Sequence, residues 1–298
     1  MDESKQQLTG AAAALGAFLS WGFLPIYFNA IGHGVLAWEI LLQRIIWAAV
    51  LLGGFVLLAG RVERLRAVMR RPRLLLALCA SAVVIGANWG TFIWAVTNGH
   101  ILESSLGYYI NPLLNVLLGY LFLGERLRPL QMLAVGLATT GVVVMIVAFG
   151  QVPWIALIVA GCFGTYGLIR KQTDVDSATG LLVETLLLAP LALGWLAWLY
   201  AHGDAAFLRS DLRTDLLLIG AGVVTVVPLV LFTTAARRLR LGTLGLVQYI
   251  TPTAHLLSGV FLYGEVFTRA DAVTFACIWV GLALYTTDVL RAQRRVPA

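Results

Sequence analysis

Ten stretches of about twenty residues, nearly free of charge, set the tightest limit on what this chain can fold into. A helix of that length crosses about 30 Å of hydrocarbon. The stretches run Thr9–Ala30, Ala37–Ala59, Arg73–Val96, Glu103–Leu123, Pro129–Ala148, Pro153–Ile169, Gly180–Tyr200, Thr214–Ala236, Thr243–Tyr263 and Asp271–Leu290. A backbone in lipid finds no water for its amides, so each stretch closes its hydrogen bonds as a helix, and the alternation of a β-barrel is missing. Charged residues make up only 12% of the chain and apolar ones 60%. Mean hydropathy is +0.87, outside the balance of a water-soluble domain. The expected fold is an all-α polytopic membrane protein. No small-residue cleavage site follows the first run, which is read as a retained span. Cys79, Cys162 and Cys277 all fall inside spans without metal-ligand spacing and read as small packing residues.

Basic residues orient the spans. With the N-terminus in the cytoplasm, every Lys and Arg except in-span Arg44 and Arg209, Arg213 and Arg269 lies on the inner side, from Lys5 through Arg61–Arg73, Arg126, Arg128, Arg170, Lys171 and Arg237–Arg240 to Arg291–Arg295. Both termini are therefore expected in the cytoplasm of a bacterial cell, with the chain in its inner membrane. The formal charge of +6 is then a topology signal confined to short loops, and nucleic acid is not an expected partner.

The chain also repeats itself. Tyr109 to Glu125 read "YINPLLNVLLGYLFLGE" and Tyr249 to Glu265 read "YITPTAHLLSGVFLYGE", 140 residues apart. They fall on the fourth and ninth spans, one in each set of five. A duplicated unit with an odd number of spans enters the membrane upside down the second time, so residues 1–149 and 150–298 are expected to be two inverted five-helix repeats, an arrangement that recurs in secondary transporters.

Polar residues at membrane depth follow the repeat. Tyr108, Asn111 and Asn115 share one face of the fourth span; Gln248, Thr251 and His255 match them on the ninth. Asn88 adds to the third span. Pro112 and Pro252 lie mid-span, as do Pro25 and Pro228, and each frees the carbonyl four residues earlier, at Tyr108, Gln248, Trp21 and Val224. Loosened backbone at that depth needs protein or a water-filled cavity beside it. The polar residues have two readings, interhelical bonding or the wall of a midplane cavity, and the coincidence at both symmetry-related places favours the wall. His255 is either a hydrogen-bonded packing residue or a titrating group. Deep aromatic residues, Trp21, Trp89, Trp94, Tyr109, Phe163 and Tyr166, are candidates for the walls.

Three charges inside spans, Glu39, Arg44 and Glu184, are expected to pair because a lone charge at the bilayer centre costs roughly 2.5–3.5 kcal/mol. The first reading is a structural Arg44–carboxylate pair closing one end of the cavity. The second has Arg44 meeting a substrate carboxylate, or Glu184 carrying a coupling proton.

At "ESSLGYYINPLLNVLLGYLFLGERLRPLQMLAVGLATTGV" and again at "TVVPLVLFTTAARRLRLGTLGLVQYITPTAHLLSGVFLYGE", the chain resembles drug/metabolite transporters of the EamA family, nearest to the RarD-like branch. That resemblance implies a ten-helix inner-membrane carrier of two five-helix halves, many of whose relatives export amino acids and related metabolites. YddG-type relatives export aromatic amino acids through a large central cavity. Their Tyr-x-x-Pro position maps onto Tyr109 and Asn111, and they carry an aromatic where this chain has Asn111.

The leading expectation is thus a secondary transporter that exports amino acids or small metabolites by alternating access. Its substrate-binding residues would be Trp21, Asn88, Tyr108, Tyr109, Asn111, Asn115, Phe163, Tyr166, Gln248, Tyr249, Thr251 and His255. Multidrug efflux is the alternative, and a polar cavity leans towards the zwitterion. No span carries an "HExxH", "GxSxG" or paired-aspartate pattern, so an enzyme is not expected. Lys5 and Lys171 follow no phosphate-cradling loop, which argues against an ATP-driven pump. No filter-like run suggests a channel. Neither cofactor nor metal is expected, and the partners are the bilayer and a small-molecule substrate. Ala134, Ala138 and Gly141 on the fifth span permit close helix packing without specifying an oligomer.

Overall fold

The computed structural model describes residues 3–32, 34–124, 126–236, 238–239 and 247–294. Among these residues every regular element is a helix. In chain order they are α1 (Glu3–Gly22), α2 (Leu24–Ile31), α3 (Ala37–Leu58), α4 (Val62–Met69), α5 (Pro72–Thr97), α6 (Ile101–Leu123), α7 (Pro129–Phe149), α8 (Trp154–Lys171), α9 (Ser177–His202), α10 (Leu212–Ala236), α11 (Ile250–Leu257) and α12 (Arg269–Arg294), with a π-helical turn at Ser258–Leu262 between the last two.

Nine helical segments among the described residues are long and apolar enough to cross a membrane, counting α1 and α2 together as Leu8–Ile31. The expectation of ten spans meets a shorter apolar helix at Ile250–Leu262. The start of the expected span, Thr243 to Leu246, lies outside the described residues, as do Glu125, Arg237, Arg240 and Arg295. Large apolar side chains such as Leu76, Leu121, Leu191 and Trp198 stand exposed on the outer helix faces, which suits contact with lipid tails. Cys79 belongs to that outer surface too and is no packing residue; a position on the lipid side of α5 needs only an apolar group.

Small residues decide which helices touch. A side chain at Gly281 of α12 would meet the Ala134 carbonyl of α7 at 2.8 Å, and one at Gly141 would meet Cys277 at 2.9 Å. Ala134 and Ala138 are buried in the same seam, and Thr274 donates to the Gly141 carbonyl at 3.2 Å. The small stripe on α7 is therefore occupied within the chain. Gly22 of α1 lies as close to Ala254 of α11, and Gly107 of α6 to the Ala156 carbonyl of α8. In lipid such close approach is what drives helix association, since burial of apolar surface gains nothing there.

One face of the bundle is fastened by carboxylates that accept from backbone amides of other segments. Glu265, just beyond the π-helical turn, accepts from Ile101 N and Leu102 N at the start of α6, at 2.6 and 2.7 Å. Glu103 accepts from Ile155 N at the start of α8, at 2.9 Å. Glu39 accepts from Ala206 N and Phe207 N in the α9–α10 loop, at 2.9–3.0 Å. The first two occupy donors that a helix start leaves without intrahelical partners, where the helix dipole also favours a negative charge.

Three substitutions test this arrangement. Gly281→Val lowers stability by about 1–3 kcal/mol, read as thermal loss of the monodisperse peak in detergent. Gly136→Ala, whose added methyl meets nothing within 4 Å, leaves it unchanged. Glu265→Ala removes charge-assisted bonds worth about 1.5–3 kcal/mol and speeds hydrogen exchange at Ile101 and Leu102 by about tenfold or more.

Candidate functional site

The prolines and polar stripes meet where α1, α6 and α11 cross. Pro25 leaves the Trp21 carbonyl without an intrahelical donor, and His255 Nε2 of α11 lies 3.0 Å from that oxygen. Thr251 donates to the Phe18 carbonyl at 2.8 Å. Ser105 of α6 donates to the Pro252 carbonyl at 2.8 Å. Polar side chains of α6 and α11 thus stitch the helices together at backbone positions.

Beside this crossing lies a cavity of about 360 Å³. Trp21, Trp89, Phe92, Tyr108, Phe163, Tyr166, Phe232 and Tyr249 supply aromatic walls, and Arg44, Asn88, Asn111, Arg170, Gln248, Thr251 and His255 supply polar groups. The aromatic residues hold one another: Phe92 stacks on His255 at 5.2 Å, and Tyr108 meets Phe92 at 5.7 Å and Phe163 at 6.0 Å. Asn88 is fixed by donating to the Val159 carbonyl at 2.9 Å. Away from the fastened face, the cavity runs towards the α8–α9 junction, where Arg170, Ser177 and Leu181 line it.

Several buried polar atoms at the wall have no hydrogen-bond partner. They are Arg44 Nη1, Asn111 Oδ1, His255 Nδ1 and Arg170 Nη1. A buried polar atom left unmet costs about 1–3 kcal/mol, more if charged. Arg170 Nη1 has Glu184 as an ion-pair partner at 3.7 Å; the other three belong to residues that line one cavity.

The in-span charges are arranged differently from the expectation of an Arg44–carboxylate pair. Among the described residues no carboxylate pairs with Arg44. Its Nε donates to Thr225 Oγ1 at 2.8 Å, and its guanidinium carbon sits 4.3 Å from the Trp89 ring centroid. Glu39 is engaged by the Ala206 and Phe207 amides. Glu184 faces Arg170 at 3.7 Å, bonds Ser81, and accepts from the Tyr166 hydroxyl at 3.3 Å. Arg170 ends α8 and reads in sequence as an interfacial positive charge. Here it bends back over Gly180, where an added methyl would stand only 2.0 Å from Nη1. No sequence signal marks Arg170 for this place, because its partners Gly180 and Glu184 lie on the following helix and are met only in the folded chain. Next to it, burial pushes the Asp176 carboxyl up, but hydrogen bonds from Thr179 and the charges of Arg61 and Arg64 outweigh it and hold the group below the usual carboxylate range.

Not every candidate reaches the cavity. Tyr109 is buried on the other side of α6 between Tyr249, Phe275 and Trp279, with its hydroxyl bonded to Thr253 at 2.6 Å. Asn115 is exposed on α6, its side-chain oxygen facing Gly164 and Gly167 of α8. Trp94 stacks on His100 near the fastened face. Of the prolines, Pro252 lines the cavity, Pro25 opens α2 after a break at Phe23, and Pro112 and Pro228 sit inside continuous helices.

Comparison with known proteins places this geometry. The model of the EamA-like transporter family matches residues 8–147 and again 152–287. A protein of Vibrio cholerae serotype O1 described as "Uncharacterized transporter" is 48% identical over 283 residues, covering 95% of this chain and 93% of its own. "Protein RarD" of Escherichia coli K12 is 45% identical over 293 residues, covering 98% and 99%. "Chloramphenicol-sensitive protein RarD" of Pseudomonas aeruginosa is 32% identical over 290 residues, covering 96% of each. A solved crystal structure with 19% identity superposes with a TM-score of 0.61 over 97% of this chain and all of its own, a likeness of fold. A multi-pass bundle with an aromatic-walled cavity between its helices, matched twice along its length, the chain belongs to the EamA-like transporter family, among RarD-like proteins.

Proposed function

We propose that this chain is a secondary transporter that exports amino acids or related small metabolites from a bacterial cell by alternating access of the midplane cavity. The observation that carries this reading is the cluster of unpartnered polar atoms, Arg44 Nη1, Asn111 Oδ1 and His255 Nδ1, on an aromatic-walled cavity inside the membrane-spanning bundle. A zwitterion needs both a donor and an acceptor away from water, and the wall holds both.

Two halves, residues 1–149 and 150–298, inverted in an inner membrane with both termini cytoplasmic, complete the proposal. Helix contacts support the duplication. With α1 and α2 counted as one span, exchanging each span for the one five places on turns the α1–α10 contact into α8–α5, α1–α11 into α8–α6, and α3–α10 into α9–α5, while α3–α9, α6–α11 and α7–α12 map onto themselves. Contacts that survive this exchange suit rocking of one half against the other about a fixed site. By the distribution of basic residues the fastened face is the outer one, so the cavity opens inward here. Glu125 stands in sequence where Glu265 stands, 140 residues earlier; it lies outside the described residues.

Efflux of toxic compounds is the second reading, supported by the name of the Pseudomonas aeruginosa relative and by the aromatic walls. Proteoliposomes separate the two. Counterflow of labelled amino acids, tried across all twenty, is expected; flux of chloramphenicol or a lipophilic cation with none for any amino acid refutes the proposal. Asn111→Leu slows amino-acid flux by about tenfold. Tyr109→Phe, which removes the hydroxyl's bonds to Thr253 and Trp279 away from the cavity, leaves half-saturation unchanged.

A further inference from the structure

Arg44 is 4% exposed, and among the described residues no carboxylate pairs with its charge. Its surroundings fix its direction. Thr225 gives its only hydroxyl proton to the Ala221 carbonyl at 2.8 Å, so towards Arg44 it acts as an acceptor and receives Nε at 2.8 Å. The Trp89 ring at 4.3 Å and the Phe28 ring at 5.7 Å hold the guanidinium from its faces. An aromatic face attracts the cation but supplies no acceptor for its N–H groups, and Nη1 is left unmet. Glu39 and Glu184, the carboxylates nearest in the span pattern, are engaged elsewhere. The Arg170 charge is opposed by Glu184 at 3.7 Å, so among the described residues of the wall Arg44 is the cation with no carboxylate opposite it.

The acceptors lie across the aromatic shelf. His255 Nε2 faces a carbonyl at 3.0 Å and must donate to it, which leaves the lone pair of Nδ1 in the neutral ring unmet. Asn111 Oδ1 is unmet as well. Phe92 and Tyr108 pack against His255 and against each other.

We propose that Arg44 is the anchor for a substrate carboxylate, and that the cavity takes apolar or aromatic α-amino acids, carboxylate on Arg44 and ammonium towards Asn111 and His255, in preference to cationic amphiphiles. This rests on the reading of the cavity as the transport site. A planar guanidinium offers a carboxylate two parallel N–H groups. A compound with only an ammonium group meets like charge at Arg44 and leaves its Nη1 unsatisfied.

The test uses full-length protein in liposomes preloaded with unlabelled L-phenylalanine, with labelled L-phenylalanine and unlabelled competitors outside. Phenylalanine competes best and 3-phenylpropionate, which keeps the carboxylate, competes more weakly. Phenethylamine and phenylalaninamide, which lack the carboxylate charge, fail to compete at tenfold higher concentration. Arg44→Lys keeps the charge but not the fork and raises half-saturation about tenfold or more, while a folded Arg44→Gln no longer distinguishes the acid from its amide. Equal competition by phenethylamine, or a folded Arg44→Gln with unchanged half-saturation, overturns the inference and leaves the transporter reading standing. If Arg44→Gln loses its monodisperse profile, Arg44→Lys and the competitor series on the unaltered protein decide. Flux of other amino acids without phenylalanine overturns the assigned class. Absence of flux for every amino acid defeats the transport reading, and this inference with it.

Discussion

A backbone amide that would otherwise face lipid must find its partner within the protein, because lipid offers none. The carboxylates of Glu39, Glu103 and Glu265 show what that constraint produces. Each reaches amides of a segment distant in sequence, and two of them end at the starts of helices, where the amides have no intrahelical partner. They join α6 to the segment after α11, α8 to α6, and α3 to the α9–α10 loop. The same bonds that satisfy stranded amides therefore close one face, and a cavity can open only towards the other.

Proline has a related role at the centre. By removing a backbone donor, Pro25 creates an acceptor at Trp21 that α11 can grip through His255, beside the Thr251 bond to Phe18. The crossing is held by side chain to backbone bonds, which tolerate exchange of partners better than interlocked apolar side chains do. The polar stripe of α11 is consequently divided. Thr251 holds helices together, while His255 does so with one nitrogen and leaves the other without a hydrogen-bond partner.

Charge shows the widest distance between pattern and outcome. Pairing of Arg44 with an in-span carboxylate is the economical reading of the sequence, yet Arg44 sits against Trp89 and Thr225, and Arg170 takes the place opposite Glu184. An aromatic face stabilises a desolvated cation by about 2 kcal/mol or more, comparable with the cost of placing the charge in the span on the insertion scale. That balance lets the protein hold a cation in reserve at a site where its own carboxylates are occupied.

The spans were legible in the sequence because hydrocarbon thickness makes length and apolarity local properties: α3 begins at Ala37 and α7 at Pro129, as read from the residues alone. Most of the residues lining the cavity, from Trp21 and Asn88 to Gln248 and His255, were legible too, since a polar or aromatic residue inside an apolar run stands out without reference to its neighbours. Tertiary structure alone decided which polar atoms stay free. Tyr109 faces Thr253, Asn115 faces α8, Arg44 meets Thr225 across 181 positions of sequence. Hydrogen bonds and ion pairs act over about 3–4 Å, so a partner is chosen by which helix lies alongside, and spacing along one helix carries no record of that.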